Sequence, residues 1–241
     1  MSLQAACLET AVRKFVPYTV VSNVLPVPQT LRDHLSVLRE QGRTQRLARN
    51  ETIFQEGDRA RTVCRIVSGS VRLCRHTQDG RRHIAEFAIA GDLIGVLDGD
   101  TQAFTAEAVT EVTLIAYPRA DFDRQSERDP RFRANVLSHL AATLMSAQLH
   151  TFTLGCQSAK ERLASFLVRF AERTGATATG RLELPMGRQD IADHLGLTIE
   201  TICRAITVLK TEQLLAVPNT HQLVVRDLAR LRALSGGGTA H

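Results

Sequence analysis

Residues 188–209 read Arg-Gln-Asp-Ile-Ala-Asp-His-Leu-Gly-Leu-Thr-Ile-Glu-Thr-Ile-Cys-Arg-Ala-Ile-Thr-Val-Leu. Ile191, Ala192, Leu195, Leu197 and Ile202 fall where two short crossing helices must bury a shared face. Ala192 allows close approach of the helices, and Gly196 supplies the positive φ that turns the chain within three residues. Thr198 is placed to cap the second helix with its hydroxyl. The spacing predicts a helix-turn-helix.

The second helix carries a polar face of Thr198, Glu200, Thr201, Cys203, Arg204, Thr207 and Lys210, with Ile199 beside its start. Glu200 and Arg204 are four apart and so lie on one side of the helix. On a DNA duplex an arginine can make a bidentate bond to guanine O6 and N7, while a carboxylate accepts from cytosine N4. A carboxylate near phosphates is repelled, so one at the tip of such a helix points to base reading. Arg188, at the start of the first helix, is placed to meet a phosphate. Leu214–Val217 and Gln222–Val225 flank Pro218-Asn219-Thr220-His221, which reads as a short hairpin completing a winged helix. Cys203 is a redox candidate as well as a DNA-contact candidate, because its thiol shares the reading face.

Upstream the grammar is different. From Arg43 to Tyr117, short runs rich in β-branched residues (Thr62–Val67, Val71–Cys74, Ile84–Ile89, Val109–Tyr117) alternate with Gly and Asp turns. Many short strands at this rhythm predict a β jelly roll. Arg72, Arg75, Arg81, Arg82 and His83 give one hairpin a basic edge, read as a solvated face.

After Asp129-Pro130 the period becomes helical. Phe132, Val136, Leu140 and Leu144 form a stripe with Leu137 and Met145 beside it, and Gly155 reads as its end. A helix of about 25 residues spans about 37 Å, long for one small domain. It is expected to be a spine whose stripe pairs with a second chain. Ala159–Glu172 is a second amphipathic helix, followed by a loose link over 174–180.

The predicted organisation is α+β: a leader over 1–30, a jelly-roll sensor or effector domain over 31–128, a dimerisation helix over 129–155, a winged-helix domain over 156–234 and a flexible tail over 235–241. Cys7–Val16 and Leu31–Arg39 read as short helices within or next to the leader. The formal charge of +5, from 30 basic and 25 acidic residues, lies in no single run and excludes a basic-tail wrapper. Five cysteines without a CxxC pair fit a reducing compartment, and the longest apolar stretches are broken by proline and asparagine. A cytoplasmic, non-membrane protein is expected. No paired carboxylates in a glycine-rich pocket, no His-x-x-x-His and no phosphate loop occur, so an enzyme is not expected.

The full order resembles the Crp/Fnr superfamily of bacterial transcription regulators, and within it the FixK-like branch. The resemblance is carried by Arg188-Gln189-Asp190-Ile191-Ala192, Leu195-Gly196-Leu197-Thr198 and Glu200-Thr201-Ile202. Upstream it is carried by Ile53-Phe54-Gln55-Glu56-Gly57-Asp58, Ile66-Val67-Ser68-Gly69, Gly91-Asp92-Leu93-Ile94-Gly95 and Glu161-Arg162-Leu163-Ala164. It implies a homodimer on double-stranded DNA at a TTGAT-N4-ATCAA-like palindrome, contact with RNA polymerase, and control of microoxic, denitrification or nitrogen-fixation genes, mainly as an activator. Glu200 and Arg204 fall where the family reads the TTG and CAA ends; the serine usual between them is here Cys203.

The resemblance also brings sensors to test. Cyclic-nucleotide binding needs an arginine in the phosphate-holding turn, and 91–106 contains none. Iron–sulfur ligation needs clustered N-terminal cysteines, but only Cys7 lies there and Ile115 takes the barrel position. The carbon-monoxide sensors place haem ligands where this chain has Gly95 and Leu97. Cys74 and His76, two apart on a predicted strand, keep haem or nitric-oxide sensing as an alternative. The leading expectation is no cofactor. A ligand-binding module without DNA binding is the rival class, disfavoured by the Glu200–Arg204 face.

Overall fold

The β-branched runs between turn glycines form an antiparallel double-layered barrel in the computed structural model, which describes residues 35–38, 41–96 and 99–237. Its strands are β1 (Arg43–Leu47), β2 (Thr52–Phe54), β3 (Thr62–Ser68), β4 (Ser70–His76), β5 (Arg82–Ile89), β6 (Leu93–Ile94), β7 (Thr105–Ala108) and β8 (Val112–Pro118). One sheet runs β1-β8-β3-β6 and the other β2-β7-β4-β5, which is the jelly-roll arrangement predicted. Ile66, Val71, Ile94, Ala106, Val112 and Leu114 fill the space between the sheets. β1, Arg-Thr-Gln-Arg-Leu, is mostly exposed at a sheet edge, so no apolar alternation announces it. Gly69 joins β3 to β4 at φ +88°, and a Cβ there would sit 2.2 Å from the Glu111 carbonyl, so only glycine fits.

Three helices follow: α1 (Arg119–Arg128), α2 (Pro130–Cys156) and α3 (Ala159–Thr174). Asp129 caps α2 by accepting from the Arg131 and Phe132 amides, with Pro130 at the first helical position. At 27 residues α2 is about 40 Å long. Gly155 lies inside the helix rather than ending it, since Gln157 is the cap. Ser158 and Glu161 form a capping box that starts α3, and Gly175 ends it at φ +72°. Residues 176–178 of the expected loose link wind into a single 3-10 turn.

The spine has two apolar faces, and they do different work. Phe132 and Val136 are buried in this protomer's own core, with Phe132 edge-on to Phe122 of α1 at 5.2 Å. Leu140 is half-buried against the same cluster. This corrects the expectation that Phe132 and Val136 face a second chain, while Leu140 keeps part of its surface outside the protomer's core. Leu137, Leu144 and Met145 point the other way and are 59%, 60% and 47% exposed. The reason is the 3.6-residue period: positions 132, 136 and 140 share one side of the helix, 137 and 144 lie about a quarter of a turn round from Val136, and 145 lies opposite it.

The C-terminal domain contains β9 (Arg181–Glu183), α4 (Arg188–Leu195), α5 (Ile199–Thr211), β10 (Leu215–Ala216), β11 (Gln222–Val225) and α6 (Leu228–Arg232). β9 adds a third strand, in the order β10-β11-β9, to the predicted hairpin. Its core of Leu163, Leu167, Leu182, Ile191, Ile202 and Leu209 runs on without a break into Ile84 and Phe87 of the barrel.

The hairpin expected to be a solvated basic edge is therefore partly a domain contact. Arg72 is buried and pairs with Glu107 at 2.7 Å and Asp190 at 3.3 Å. Arg82 pairs with Asp190 at 2.6 Å and Asp193 at 2.7 Å. Arg75, Arg81 and His83 remain exposed. The leader 1–30, with Cys7 and its short helix, lies outside the described residues. So do residues 31–34 and 39 of the second predicted helix, Leu97, and the last four residues of the tail. Leu35–Leu38 form one 3-10 turn. No helix among the described residues is long and apolar enough to cross a membrane.

Candidate DNA interface

Helix α4 begins at Gly187, whose amide donates to Asp190 Oδ2 at 3.3 Å. Its end is set by Gly196 at φ +62°; a Cβ there would make only ordinary contacts, 3.8 Å from Arg162 Nη1 and 3.9 Å from Leu154 Cδ2, so backbone conformation is what requires glycine. Arg162 of α3 braces the turn, donating Nη1 to the Leu195 carbonyl at 3.1 Å and Nε to the Gln157 carbonyl at 2.9 Å. Nothing local in Ala159-Lys160-Glu161-Arg162 marks that role, because the Leu195 carbonyl it meets lies 33 residues on. Thr198 caps α5 as predicted, accepting from the Thr201 amide at 3.2 Å.

Ile202, Ala205, Ile206 and Leu209 bury one side of α5, which leaves the opposite side free. Glu200, Cys203, Arg204, Thr207 and Lys210 are exposed there, while Thr198 is exposed at the cap. Ile199 and Thr201 are half-buried at the helix start. Arg204 Nη2 donates to Thr201 Oγ1 at 3.2 Å, and Thr201 Oγ1 lies 3.1 Å from Thr198 Oγ1. Thr207 Oγ1 donates to the Cys203 carbonyl at 3.0 Å, so its hydroxyl turns back on its own helix. Arg188 is half-buried on α4; burial lowers the pKa of its guanidinium, against which the neighbouring Cys203 works. Val208, 42% exposed, belongs to the same face and carries no polar signal that would have singled it out.

The electrostatics favour a charged reader. The backbone amide of Glu200 and the Thr198 hydroxyl hold the Glu200 carboxyl below the usual carboxylate range, with Arg204 adding to them. Glu200 is therefore an anion at neutral pH and acts only as an acceptor, as cytosine N4 requires. At the wing, Asn219 Oδ1 accepts from the His221 amide at 2.9 Å and its Nδ2 donates to Gln222 Oε1 at 3.0 Å. These bonds hold the tip of the hairpin in a fixed turn.

Cys74 and His76 do not form a joint site. Cys74 is buried beside Ile84 and Phe87, and burial, with Glu107 adding to it, pushes its thiol up to about 11 against Arg72 and Arg82. His76 is exposed at the strand's end, two residues on in regular register. A buried thiol held in its neutral form is a poor metal ligand. The two do share one side of the strand, as their spacing predicts, but one is buried in the core and the other exposed at the strand's end.

Comparison with known proteins agrees with this arrangement. Residues 44–129 match the cyclic nucleotide-binding domain family, and residues 161–234 match the Crp-like helix-turn-helix domain family. The nitrogen fixation regulation protein FixK of Azorhizobium caulinodans is 39% identical over 190 residues, 78% of this chain and 77% of that protein. The FixK protein of Rhizobium meliloti is 40% identical over 184 residues, 76% of this chain and 82% of that protein. The solved structure of FixK2 from Bradyrhizobium japonicum superposes with a TM-score of 0.77 at 32% identity, covering 83% of this chain and 99% of that one. Two domains in this order, the exposed face of α5 and these relatives lead to one conclusion: the chain belongs to the FixK-like branch of the Crp/Fnr superfamily, a family of DNA-binding, non-catalytic transcription regulators.

Proposed function

We propose that the chain binds DNA as a homodimer and reads a TTGAT-N4-ATCAA-like palindrome through α5. The observation that carries this reading is the exposed pair Glu200 and Arg204 on one side of a helix whose other side is buried. Arg204 supplies the bidentate contact to the guanine of TTG, and Glu200 accepts from the cytosine opposite. Thr198, Ile199, Thr201, Cys203, Thr207 and Lys210 flank the pair and contact sugar, phosphate or the thymine methyl. Arg188 faces a backbone phosphate from the first helix.

The two copies meet along the exposed stripe of α2, Leu137, Leu144 and Met145, which sets two α5 helices about one DNA turn, 34 Å, apart. The protein acts mainly as an activator that engages RNA polymerase in the cytoplasm. The names of the two FixK relatives support a place in nitrogen-fixation control, and the branch supports microoxic and denitrification genes alongside it. Regulation by cyclic nucleotide has no support in the turn at 91–106, where no arginine is present to meet a phosphate.

Gel-shift titration of the purified chain with the palindromic duplex tests the reading. Binding without added ligand, at a salt concentration where a scrambled duplex is not retained, is the expected result. A strict requirement for an added nucleotide would contradict it.

A further inference from the structure

The chain passes from the spine into the C-terminal domain through two residues. Gln157 (φ −103°, ψ 145°) and Ser158 (φ −65°, ψ 164°) are extended, with helix before and after them. Their backbone angles therefore decide how α3, and whatever is fastened to α3, sits against α2.

The reading helix is fastened to α3. The opening turn of α3 holds α5 at both ends. Arg162 Nη1 donates to the Leu195 carbonyl ahead of α5 at 3.1 Å, and Lys160 Nζ pairs with Glu212, the C-cap of α5, at 2.9 Å. Between those ends, Leu163 and Leu167 share a core with Ile202 and Leu209, so α3 and α5 form one packed unit.

Every polar group of Gln157 is engaged. Its amide donates to the Thr153 carbonyl at 3.2 Å, and its carbonyl accepts from Arg162 Nε at 2.9 Å. Its Nε2 donates to the Ser235 carbonyl at 2.9 Å, and its Oε1 accepts from Ser165 Oγ at 2.8 Å. Ser165 is buried inside α3, and Ser235 lies 78 residues further along the chain. The glutamine side chain thus ties the link to the far end of the domain that it introduces.

We propose that Gln157 is a positioning residue that sets which spacing of half-sites the dimer accepts. This rests on the reading given above, a homodimer joined along α2 that reads a palindrome through α5. In such a dimer each α5 is oriented through its own Gln157, so a change in that link enters twice. One added base pair moves the second half-site about 3.4 Å along the duplex and turns it about 35°. A link with fixed angles cannot follow that change, whereas one without its side-chain bonds follows part of it. Arg72 and Arg82 still hold α4 on the barrel, so loosening Gln157 widens the range of α5 without releasing the domain. Contact of one α5 with one half-site does not depend on the link.

The test is competition binding of the full chain to palindromes with spacers of three to six base pairs and to a duplex carrying one half-site. The unmodified chain should prefer the four-base-pair spacer over the five by about ten-fold or more. Gln157→Met keeps the length of the side chain and removes its hydrogen bonds. It should cut that preference to about three-fold or less, while half-site affinity stays within about two-fold. Ser165→Ala removes one of those bonds from a small side chain and should lower the ratio by about two-fold. An unchanged ratio in Q157M, or an equal loss on every duplex including the half-site, would overturn the inference and leave the palindromic reading intact. Should Q157M fail to fold, an unchanged ratio in S165A overturns it instead. No spacer preference in the unmodified chain would overturn the palindromic reading and the inference together.

Discussion

Arg82 of the barrel hairpin donates to Asp190 Oδ1 of α4 across 2.6 Å, although 108 residues separate them. The other oxygen of the same carboxylate accepts the Gly187 amide that starts α4, so one side chain both begins the helix and fastens it to the barrel. Arg72 reaches the same carboxylate, and Asp193 one turn on shares Arg82. All four side chains are at most 22% exposed.

Removing Asp190 leaves two arginines under-compensated in a largely buried contact. Asp190→Ala should therefore destabilise the chain by about 3–5 kcal/mol, the usual effect of breaking a buried pair. Asp190→Asn should lose less, because its one amide oxygen can still accept from either the Gly187 amide or Arg82, though not from both. Denaturant unfolding followed by circular dichroism measures both. A change below about 1 kcal/mol for D190A, the range of exposed pairs, would mean that the contact is solvent-screened.

The two faces of α2 give opposite outcomes. Leu144→Glu places a charge on the exposed stripe and should yield folded monomers that bind the palindrome poorly. Phe132→Ala, by contrast, opens a cavity within one protomer and should cost about 3–5 kcal/mol of stability while the surviving folded fraction still dimerises. Sedimentation equilibrium separates the two, and a dimeric L144E would remove this stripe from the interface.

This division marks where the sequence could be read and where it could not. The helix-turn-helix was legible because Gly196, Thr198 and the buried positions between them are local requirements met within about 20 residues. The jelly roll was legible from its turns. The spine's periodicity identified the helix, but an apolar residue looks the same whether it faces its own barrel or a second chain, so Phe132 and Leu144 were indistinguishable. The docking of Arg72 and Arg82 on Asp190 and Asp193 was illegible for the same reason: charges more than 100 residues apart carry no sequence signal of being paired.

His150 and His194 predict an acid-labile junction. Burial, with Arg169 and His83 adding to it, pushes His150 down to about 4; burial, with His150 adding to it, holds His194 well below the usual imidazole range. Both are neutral in the folded chain near pH 6, while in the unfolded chain they take up protons from about pH 6.5 downward. The unfolded state therefore binds more protons, and the stability held above pH 6.5 is lost progressively as pH falls towards 4. Melting temperatures between pH 7.5 and 4.5 should fall steadily, and His150→Phe should flatten the slope. An unchanged slope in H150F would place the acid sensitivity elsewhere.

Cys203 and Cys156 are exposed, whereas Cys64 and Cys74 are buried with thiols pushed up to about 11 by that burial. Of these four described cysteines, only Cys203 lies on the reading face. Peroxide should weaken DNA binding by adding oxygen, and with it bulk and charge, to that thiol. Cys203→Ser should resist the treatment and Cys156→Ser should not. Equal sensitivity of the unmodified protein and C203S would assign the effect to another group.

Competition binding of Arg204→Ala and Glu200→Ala against palindromic and scrambled duplexes, at one stated salt concentration, reaches the central claim most directly. Each base contact is worth about 1–3 kcal/mol, and two half-sites double it, so R204A should lose on the order of 2–6 kcal/mol on the palindrome. On scrambled duplex, where phosphates dominate, it should lose far less. E200A removes an anion that phosphates repel, so its scrambled affinity should hold or rise while preference for cytosine collapses. If both variants lose palindromic and scrambled affinity equally, α5 is not the reader and the account of function fails.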